Sequence, residues 1–309
     1  MMTYENILRN LVNTDERFIV LTAENRAAIR NLPEEIKDKF IDVGISEQTM
    51  VGMAAGLAKR GRIPVCHALS AFLTMRAFEF IRTDIGIPGY PVKLVGAVAG
   101  FLSEANGPTH QALEDISLMR TIPGMNIFCP SDIEDMLIGL KQVLLDRNPW
   151  YIRYNNLLPP VNHEKDFHIG KAEIISVGYE INIITFGTLL RQAMEASEIL
   201  NSKRRLTGVI NLRTLKPIDE ELILKTCTSS PLVITLEDHF LTGGLFSIVS
   251  EILVKNRVMA NVFPISLKNK WFKPSLLNDA ISYEGFDGEN IAKIILAEFN
   301  KQVHSSVFF

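Results

Sequence analysis

The feature that most constrains the fold is an alternation of short apolar runs with longer segments of helical periodicity. This pattern predicts a parallel β-sheet covered by helices on both faces, because successive parallel strands need a crossover connection that is usually a helix. Six runs lie in the first half of the chain: FIVLTA (18–23), FIDVG (40–44), IPVCHAL (63–69), VKLVGAVAG (92–100), MNIFCPSD (125–132) and WYIRY (150–154). Three more follow in the second half: INIITFG (181–187), TGVINLR (207–213) and PLVITLED (231–238).

The rhythm is interrupted between the two halves by NNLLPPVNHEKDFH at 155–168, whose prolines, asparagines and mixed charges are typical of a linker. A chain of 309 residues is also too long for one compact core of common size. We therefore predict an α/β fold with two successive parallel-sheet domains, at 1–158 and 171–309, joined by a linker at 159–170.

Composition excludes several classes of protein. The formal net charge is -3 and no basic block is present, so nucleic acid is not an expected partner. The first ten residues carry charges without an apolar signal core, and the longest strongly apolar stretch, 94–103, is too short to span a bilayer. We expect a cytoplasmic protein with no membrane partner. Its cysteines, Cys66, Cys129 and Cys227, are odd in number and widely spaced, which favours buried, reduced thiols.

The common nucleotide and hydrolase motifs are missing. The sequence has no Walker A loop, no G-x-G-x-x-G and no G-x-S-x-G, so kinase, simple dehydrogenase and serine-hydrolase functions lose their support. In open parallel sheets ligands bind beyond the carboxyl ends of the strands. Candidate functional residues are therefore sought directly after the apolar runs.

Three residues in such positions stand out. Glu47 begins a helix after FIDVG, and composition alone favours a plain interaction with the helix dipole over a functional carboxylate. Phe72 lies in a strand-to-helix connection where a flat heterocycle could pack, although aromatic residues at such spacing are more often core. His110 lies in a polar loop, 104–111, beside Asn106, and structural and catalytic roles are evenly balanced for it.

The other histidines and acidic segments favour structural roles. His163 and His168 lie in the predicted linker without cysteine or carboxylate companions in register, so no transition-metal site is predicted. The segment Glu237-Asp238-His239 is followed closely by two glycines and could bind an anion. A capped glycine turn positioned for subunit contact is the preferred interpretation.

Taken together, these segments resemble the transketolase family, specifically its pyrimidine-binding domain followed by its C-terminal domain. The similar blocks occur in the family's order: DVGISEQTM (42–50), FLTMRAFEFIR (72–82), GPTHQALEDISLMRTIPGMNIFCPSD (107–132), INLRTLKPID (210–219) and LEDHFLTGGL (236–245). The resemblance covers nearly the whole chain. GPTHQ followed by ALED is more similar to transketolases than to the related β subunits of 2-oxo acid dehydrogenases.

The resemblance implies thiamine diphosphate as the cofactor. It implies that Glu47 is catalytic, because the matching glutamate hydrogen-bonds N1′ of the aminopyrimidine and promotes the imino tautomer that removes the thiazolium C2 proton. By the same matching, Phe72 packs on the pyrimidine ring and His110 lies by the cofactor and the reacting carbon. Arg153 would bind the substrate phosphate with its planar guanidinium. Asn106 stands where the family has an acidic residue that recognises a substrate hydroxyl.

Several departures from the family accompany these matches. The family's upstream histidine has no counterpart in VGAVAGFLS, its phosphate-binding serine is not evident in ENRAAIRNL (24–32), and Met75 is an apparent insertion. The family's G-D-G motif, which holds the diphosphate and Mg²⁺, is also missing. The similar-looking Phe286-Asp287-Gly288 is expected to be a surface turn. The Mg²⁺ ligands are thus expected from a complementary N-terminal-half subunit, in an α2β2 assembly that acts on sugars.

The sequence therefore predicts one subunit of a split, transketolase-like enzyme that transfers a two-carbon ketol unit between sugars, phosphorylated or otherwise modified. The alternatives are the β subunit of a 2-oxo acid dehydrogenase, a decarboxylating synthase, or a catalytically silent partner subunit. The joint presence of Glu47, Phe72 and His110 argues against a silent subunit, because the fold alone requires none of them.

Overall fold

The structure, a computed structural model, describes residues 3–103 and 106–305, with side chains up to Lys301 in the last helix. Its helices are α1 (Tyr4–Thr14), α2 (Leu32–Ile36), α3 (Glu47–Lys59), α4 (Phe78–Phe80), α5 (Asp115–Arg120), α6 (Ile133–Leu145), α7 (Leu190–Ser202), α8 (Glu220–Ser229), α9 (Leu245–Lys255), α10 (Leu277–Glu284) and α11 (Gly288–Ser305). Its strands are β1 (Phe18–Thr22), β2 (Phe40–Asp42), β3 (Ile63–Leu69), β4 (Lys93–Ala97), β5 (Asn126–Phe128), β6 (Trp150–Arg153), β7 (Glu173–Ser176), β8 (Ile181–Thr185), β9 (Thr207–Asn211), β10 (Thr214–Lys216), β11 (Leu232–Phe240) and β12 (Val262–Leu267). Within these ranges, no helix has both the length and the apolar character needed to cross a membrane.

The first sheet has seven strands in the order β10-β5-β6-β4-β3-β1-β2. Strands β1 to β6 pair in parallel, and their side chains alternate between two apolar layers. Leu21 and Cys66 pack on the side of α3 and α5, whereas Val20 and Val65 pack on the side of α1, α2 and α6. The continuous apolar character of the runs follows from this double coverage.

The second sheet has five strands in the order β12-β11-β8-β9-β7, parallel except for β7. Helices α8 and α9 cover one face, and α7, α10 and α11 cover the other. Two α/β domains with mostly parallel sheets confirm the predicted fold class. The second half of the chain also contributes one strand to the first sheet: β10 pairs antiparallel with β5.

The segment predicted as a linker is anchored to both domains. The Phe167 side chain is 2% exposed and packs edge-on against Phe128, with 5.5 Å between the ring centroids. His163 is also buried, and the backbone N–H of Glu164 donates to Glu173 Oε1 of the second domain at 2.7 Å. Residues 159–170 therefore contribute to the packing between the domains rather than forming a free tether.

The segment that resembles the family's G-D-G motif begins a helix. Phe286 is buried in the second domain's core, and the backbone N–H of Asn290 donates to Asp287 Oδ1 at 2.9 Å where α11 starts. The expectation of a surface turn is wrong for Phe286, because its ring packs 5.1 Å from that of Phe101.

The strand order decides where functional groups meet. Strands β2, β1, β3 and β4 are consecutive neighbours in the first sheet, so their carboxyl ends share one edge. Gly44 turns the chain from β2 into α3 with a φ of 70°, a conformation that side chains with a Cβ rarely adopt. Its N–H donates to Asp42 Oδ1 at 2.9 Å.

Candidate active site

A cleft of about 600 Å³ opens at the carboxyl ends of β1, β2 and β3. It is lined by Ala23, Glu24, Asn25, Arg26, Ala27, Arg30, Ile45, Glu47, Leu69, Phe72 and His110. Three residues predicted from the sequence, Glu47, Phe72 and His110, thus share one cavity. Asn106 is exposed and is not among the lining residues, so its contact with a substrate stays a prediction. Glu104, in the same loop, lies outside the described residues.

Glu47 is buried, yet one of its two carboxylate oxygens has no hydrogen-bond partner among the described residues. Its side chain is 2% exposed, and its Oε2 accepts a hydrogen bond from Arg76 Nη1 at 3.0 Å. Within the described ranges, no hydrogen bond is made to its other oxygen, Oε1, or between this carboxylate and a backbone N–H of α3. A buried carboxylate normally needs partners. The geometry therefore leaves one oxygen of Glu47 available to a ligand in the cleft.

Phe72 and His110 form an aromatic wall of the cleft. Both are half-buried, and their rings meet edge to face with centroids 4.9 Å apart. The Arg76 guanidinium lies 4.2 Å from the centroid of the Phe72 ring. His110 Nδ1 is 2.9 Å from the Thr109 hydroxyl, which orients the imidazole. A flat heterocycle in the cleft would meet both an aromatic surface and the carboxylate of Glu47.

The loop after β1 adds positive charge to the cleft. Arg26 forms an ion pair with Asp42, and Arg30 lies beside it along the lining. Burial by itself would raise the pKa of Asp42, but Arg26 and the N–H groups of Gly44 and Glu24 hold it below its ordinary value. The arginines were not predicted as site residues, because only the fold shows that this loop lines the cleft.

Arg153 is enclosed by buried carboxylates and is not among the residues that line the cleft. Its side chain is 5% exposed, and its guanidinium donates to Asp115 at 2.7 and 2.8 Å and to Asp238 at 2.7 Å. Burial would raise the pKa of Asp115, but Arg153 holds it below its ordinary value. Two of its nitrogens contact Asp115 within the first domain and the third contacts Asp238 of the second, so these contacts are structural, and phosphate binding by Arg153 stays a prediction.

The acidic segment at the end of β11 is also occupied internally. The Glu237 carboxylate accepts the N–H groups of Leu245 and Phe246, at 2.6 and 3.0 Å, at the start of α9. Burial raises the pKa of Glu237 to about 8 even though these N–H groups lower it. The helix terminus that could have bound an anion is filled by Glu237, which agrees with the preferred interpretation of a cap.

A second buried charge network surrounds His163 and contradicts the expectation that it has no carboxylate companions. Its Nε2 is 2.6 Å from Asp132 and its Nδ1 is 2.8 Å from Glu173. Burial lowers the pKa of His163, but the two carboxylates outweigh it and raise the pKa to about 10. Sequence spacing could not reveal this network, because Asp132 is 31 residues away from His163.

The residues that could hold a metal lie in that network rather than in the cleft. Among the residues that the structure describes, the group suited to a metal ion is Asp135, His163 and Glu173. Arg213 already pairs with two of them, at 2.7 Å from Asp135 and 3.0 Å from Glu173. The described residues of the cleft bring no comparable set of ligands together.

Comparison with known proteins agrees with this architecture. Residues 2–160 match the family described as "Transketolase, pyrimidine binding domain", and residues 170–290 match "Transketolase, C-terminal domain". A "Putative transketolase C-terminal section" of Methanocaldococcus jannaschii is 32% identical over 305 residues, which are 97% of this chain and 96% of that protein. The "6-deoxy-6-sulfo-D-fructose transketolase subunit SqwH" of a Clostridium species is 35% identical over 82% of this chain and 80% of that subunit.

Two further similarities bear on the function. A solved structure described as "Split gene transketolase, inactive beta4 tetramer" superposes with a TM-score of 0.86 at 28% identity, over 96% of this chain and 97% of that one. A 1-deoxy-D-xylulose-5-phosphate synthase of a Synechococcus species is 32% identical over 97% of this chain. The chain covers 47% of the length of that synthase.

Proposed function

Because the chain belongs to the transketolase family, we propose that it is the pyrimidine-binding subunit of a split enzyme that transfers a two-carbon ketol unit between sugars. The observation that carries the proposal is the pairing of a buried carboxylate, Glu47, with an aromatic wall, Phe72, in one cleft. A silent subunit would need neither feature to fold.

The cleft fits the aminopyrimidine half of thiamine diphosphate. Glu47 Oε1 has no partner among the described residues and lies where a ring nitrogen could share a proton with it. Phe72 offers a ring surface in the same cleft, and its ring contacts that of His110. When bound, the cofactor supplies an electron sink for the two-carbon unit. The chain's own contribution is to hold the proton at Glu47 and to orient the ring.

The diphosphate and Mg²⁺ half of the cofactor does not fit this chain. A divalent cation needs several hard oxygen ligands in a fixed geometry, and the described residues of the cleft supply no such group. We therefore assign that half to a complementary subunit that carries the G-D-G motif. The assignment supports an enzyme that is active only as an assembly.

The exposed face of α3 is the proposed contact surface for the assembly. A Cβ added to Gly52 or Gly56 would meet no atom within 4 Å, so this face is open in the single chain. Ile45 and Met53 add exposed apolar surface, at 73% and 38% exposure. A slim helix face of this kind permits the close approach of another helix. The solved relative is described as an inactive tetramer of β chains alone, and we propose that the active form of this chain pairs with complementary subunits in an α2β2 arrangement.

Anionic sugars are the proposed substrates. Arg30 lines the cleft without an ion-pair partner among the described residues and can attract an acidic group at the far end of a sugar, whereas Arg26 is already paired with Asp42. The relative named as a 6-deoxy-6-sulfo-D-fructose transketolase subunit is named for an anionic sugar. A sulfonate and a phosphate are both anions that an arginine can bind. The exposed Asn106 is proposed to contact a substrate hydroxyl.

A decarboxylating synthase is the second candidate, favoured by the 32% identity to the Synechococcus enzyme. The two functions differ in the donor, because a synthase of this kind releases carbon dioxide from a 2-oxo acid and a transketolase releases an aldose from a ketose. Supplying the reconstituted enzyme with each donor in turn separates them by product. Carbon dioxide from pyruvate without aldose from a ketose would select the synthase.

The test of the proposed function is hydrogen–deuterium exchange at C2 of thiamine diphosphate in the complex of both subunits. Glu47→Gln keeps the size and burial of the side chain but cannot exchange a proton with N1′, so exchange is expected to slow by roughly 100-fold or more. Glu79→Gln, at an exposed glutamate on α4, is the matched control and should exchange at the wild-type rate. Wild-type exchange in Glu47→Gln would remove Glu47 from the chemistry.

A further inference from the structure

Arg76 contacts both groups that define the pyrimidine site. Its Nη1 donates to Glu47 Oε2 at 3.0 Å, and its guanidinium lies 4.2 Å from the centroid of the Phe72 ring. On the basis of the proposed function, we propose that Arg76 is a positioning residue: it holds one oxygen of Glu47 so that the other is presented to the aminopyrimidine.

The backbone places Arg76 by an unusual turn. Residues Phe72–Arg76 are π-helical, and the N–H of Ala77 donates to the carbonyl of Phe72, five residues back, at 3.3 Å. A π turn contains one residue more than an α turn, so it accommodates an additional residue in this segment, which includes the apparent insertion at Met75. Single π turns occur frequently at functional sites. Here the turn places the Arg76 guanidinium over the Phe72 ring.

Arg76 reaches Glu47 from outside the cleft. Glu47 and Phe72 are among the described residues that line the cavity, whereas Arg76 is not. Its side chain is 43% exposed, whereas that of Glu47 is 2% exposed. A ligand can therefore enter beside Glu47 without displacing the guanidinium. The contact to Oε2 and the stacking on Phe72 then persist in the loaded site.

The chemistry of the pair favours a fixed carboxylate. A buried carboxylate without a partner is costly and either rotates or takes up a proton. The planar guanidinium restricts this freedom, because it is always charged and its stacking on a ring limits its rotation. With Oε2 engaged, the orientation of Oε1 is set before the cofactor arrives, and preorganisation of this kind contributes to both binding and proton transfer.

The test is a double-mutant cycle in the complete complex, with Arg76→Gln, Glu47→Gln and the combined variant. Two quantities are measured: the affinity for thiamine diphosphate by calorimetry and the exchange rate at C2. Arg76→Gln is expected to weaken binding and to slow exchange, each by about tenfold. In the Glu47→Gln background the same change should have less than about a twofold effect. Arg76→Lys should restore part of the exchange rate, because an ammonium group still pairs with the carboxylate.

The matched control is Arg82→Gln, an exposed arginine on the following helical segment, which should leave both quantities unchanged. Equal effects of Arg76→Gln in both backgrounds, or no effect in either, would overturn the positioning role. Thermal midpoints and subunit association of each variant show whether the fold and assembly are intact. If Arg76→Gln does not assemble, the same cycle with Arg76→Met, which keeps the length of the side chain without its charge, decides by the same criterion. Wild-type exchange in Glu47→Gln would instead refute the proposed function itself.

Discussion

Arg153 in the first domain and Asp238 in the second form an ion pair of 2.7 Å, and both side chains are almost completely buried. Asp238 lies so close to the backbone of Gly100 that a Cβ there would overlap its carboxylate. Gly100 has a φ of 56°, so both its conformation and its surroundings require glycine. The pair therefore connects the end of β11 to the end of the first sheet.

Removal of this contact should destabilise the chain. Asp238→Asn keeps the shape but removes one of the two carboxylates that bind Arg153, and because Asp115 stays paired with the guanidinium the loss is expected to be about 1–3 kcal/mol. The free energy of unfolding from urea titration measures the loss. Lys255→Gln, which breaks an exposed pair with Glu220, is the control and should cost no more than about 1 kcal/mol. Equal small losses in both variants would show that Asp238 does not stabilise the domain contact.

His163 gives the stability a specific dependence on pH. Its pKa is raised to about 10 in the folded chain, against an ordinary value of about 6.5 for unfolded histidine. The folded state thus binds the proton more tightly, so the stabilisation is complete below about pH 6.5 and is lost as the pH rises towards 10. The difference in unfolding free energy between wild type and His163→Gln should shrink from pH 6 to pH 10. A constant difference would show that His163 stays neutral.

The face of α3 should be required for assembly but not for folding. A Cβ at Gly56 would meet no atom within 4 Å in the single chain, and Gly56→Leu replaces a poor helix former, so the unfolding free energy should be unchanged or higher by up to about 1 kcal/mol. Light scattering of the mixture with the complementary subunit should show loss of the α2β2 assembly. Lys141→Leu adds an exposed leucine to α6, on the other layer, and should assemble normally. Normal assembly of Gly56→Leu would place the contact elsewhere.

The sequence was most informative where one segment alone determines the structure. Strands such as β1 and β3 are apolar throughout because they are buried on both faces, and that property is visible in FIVLT and IPVCHAL. Strand β10 has no such signature. Its three residues, TLK, become a strand because β5 of the other domain offers an edge.

The residues of the site likewise divide into those that one segment of sequence indicates and those that only the folded structure shows. Glu47, Phe72 and His110 could be grouped from the sequence because each follows a strand end and the carboxyl ends of neighbouring strands meet, and their roles stay predictions. Arg76 was missed because it pairs with a residue 29 positions away, through a π turn that spacing does not show. Arg153 was assigned to a substrate because its position in a strand does not show that Asp115 and Asp238 already surround it.

Calorimetric titration with thiamine diphosphate and Mg²⁺ tests the central claim, that this chain is one half of a split cofactor site, most directly. The chain alone has Glu47 and Phe72 but, among its described residues, no set of oxygen ligands for the metal in the cleft, so it should show no saturable binding at micromolar concentration. An equimolar mixture with the complementary subunit should bind one cofactor per pair of chains. Tight one-to-one binding of thiamine diphosphate and Mg²⁺ by this chain alone would contradict the account.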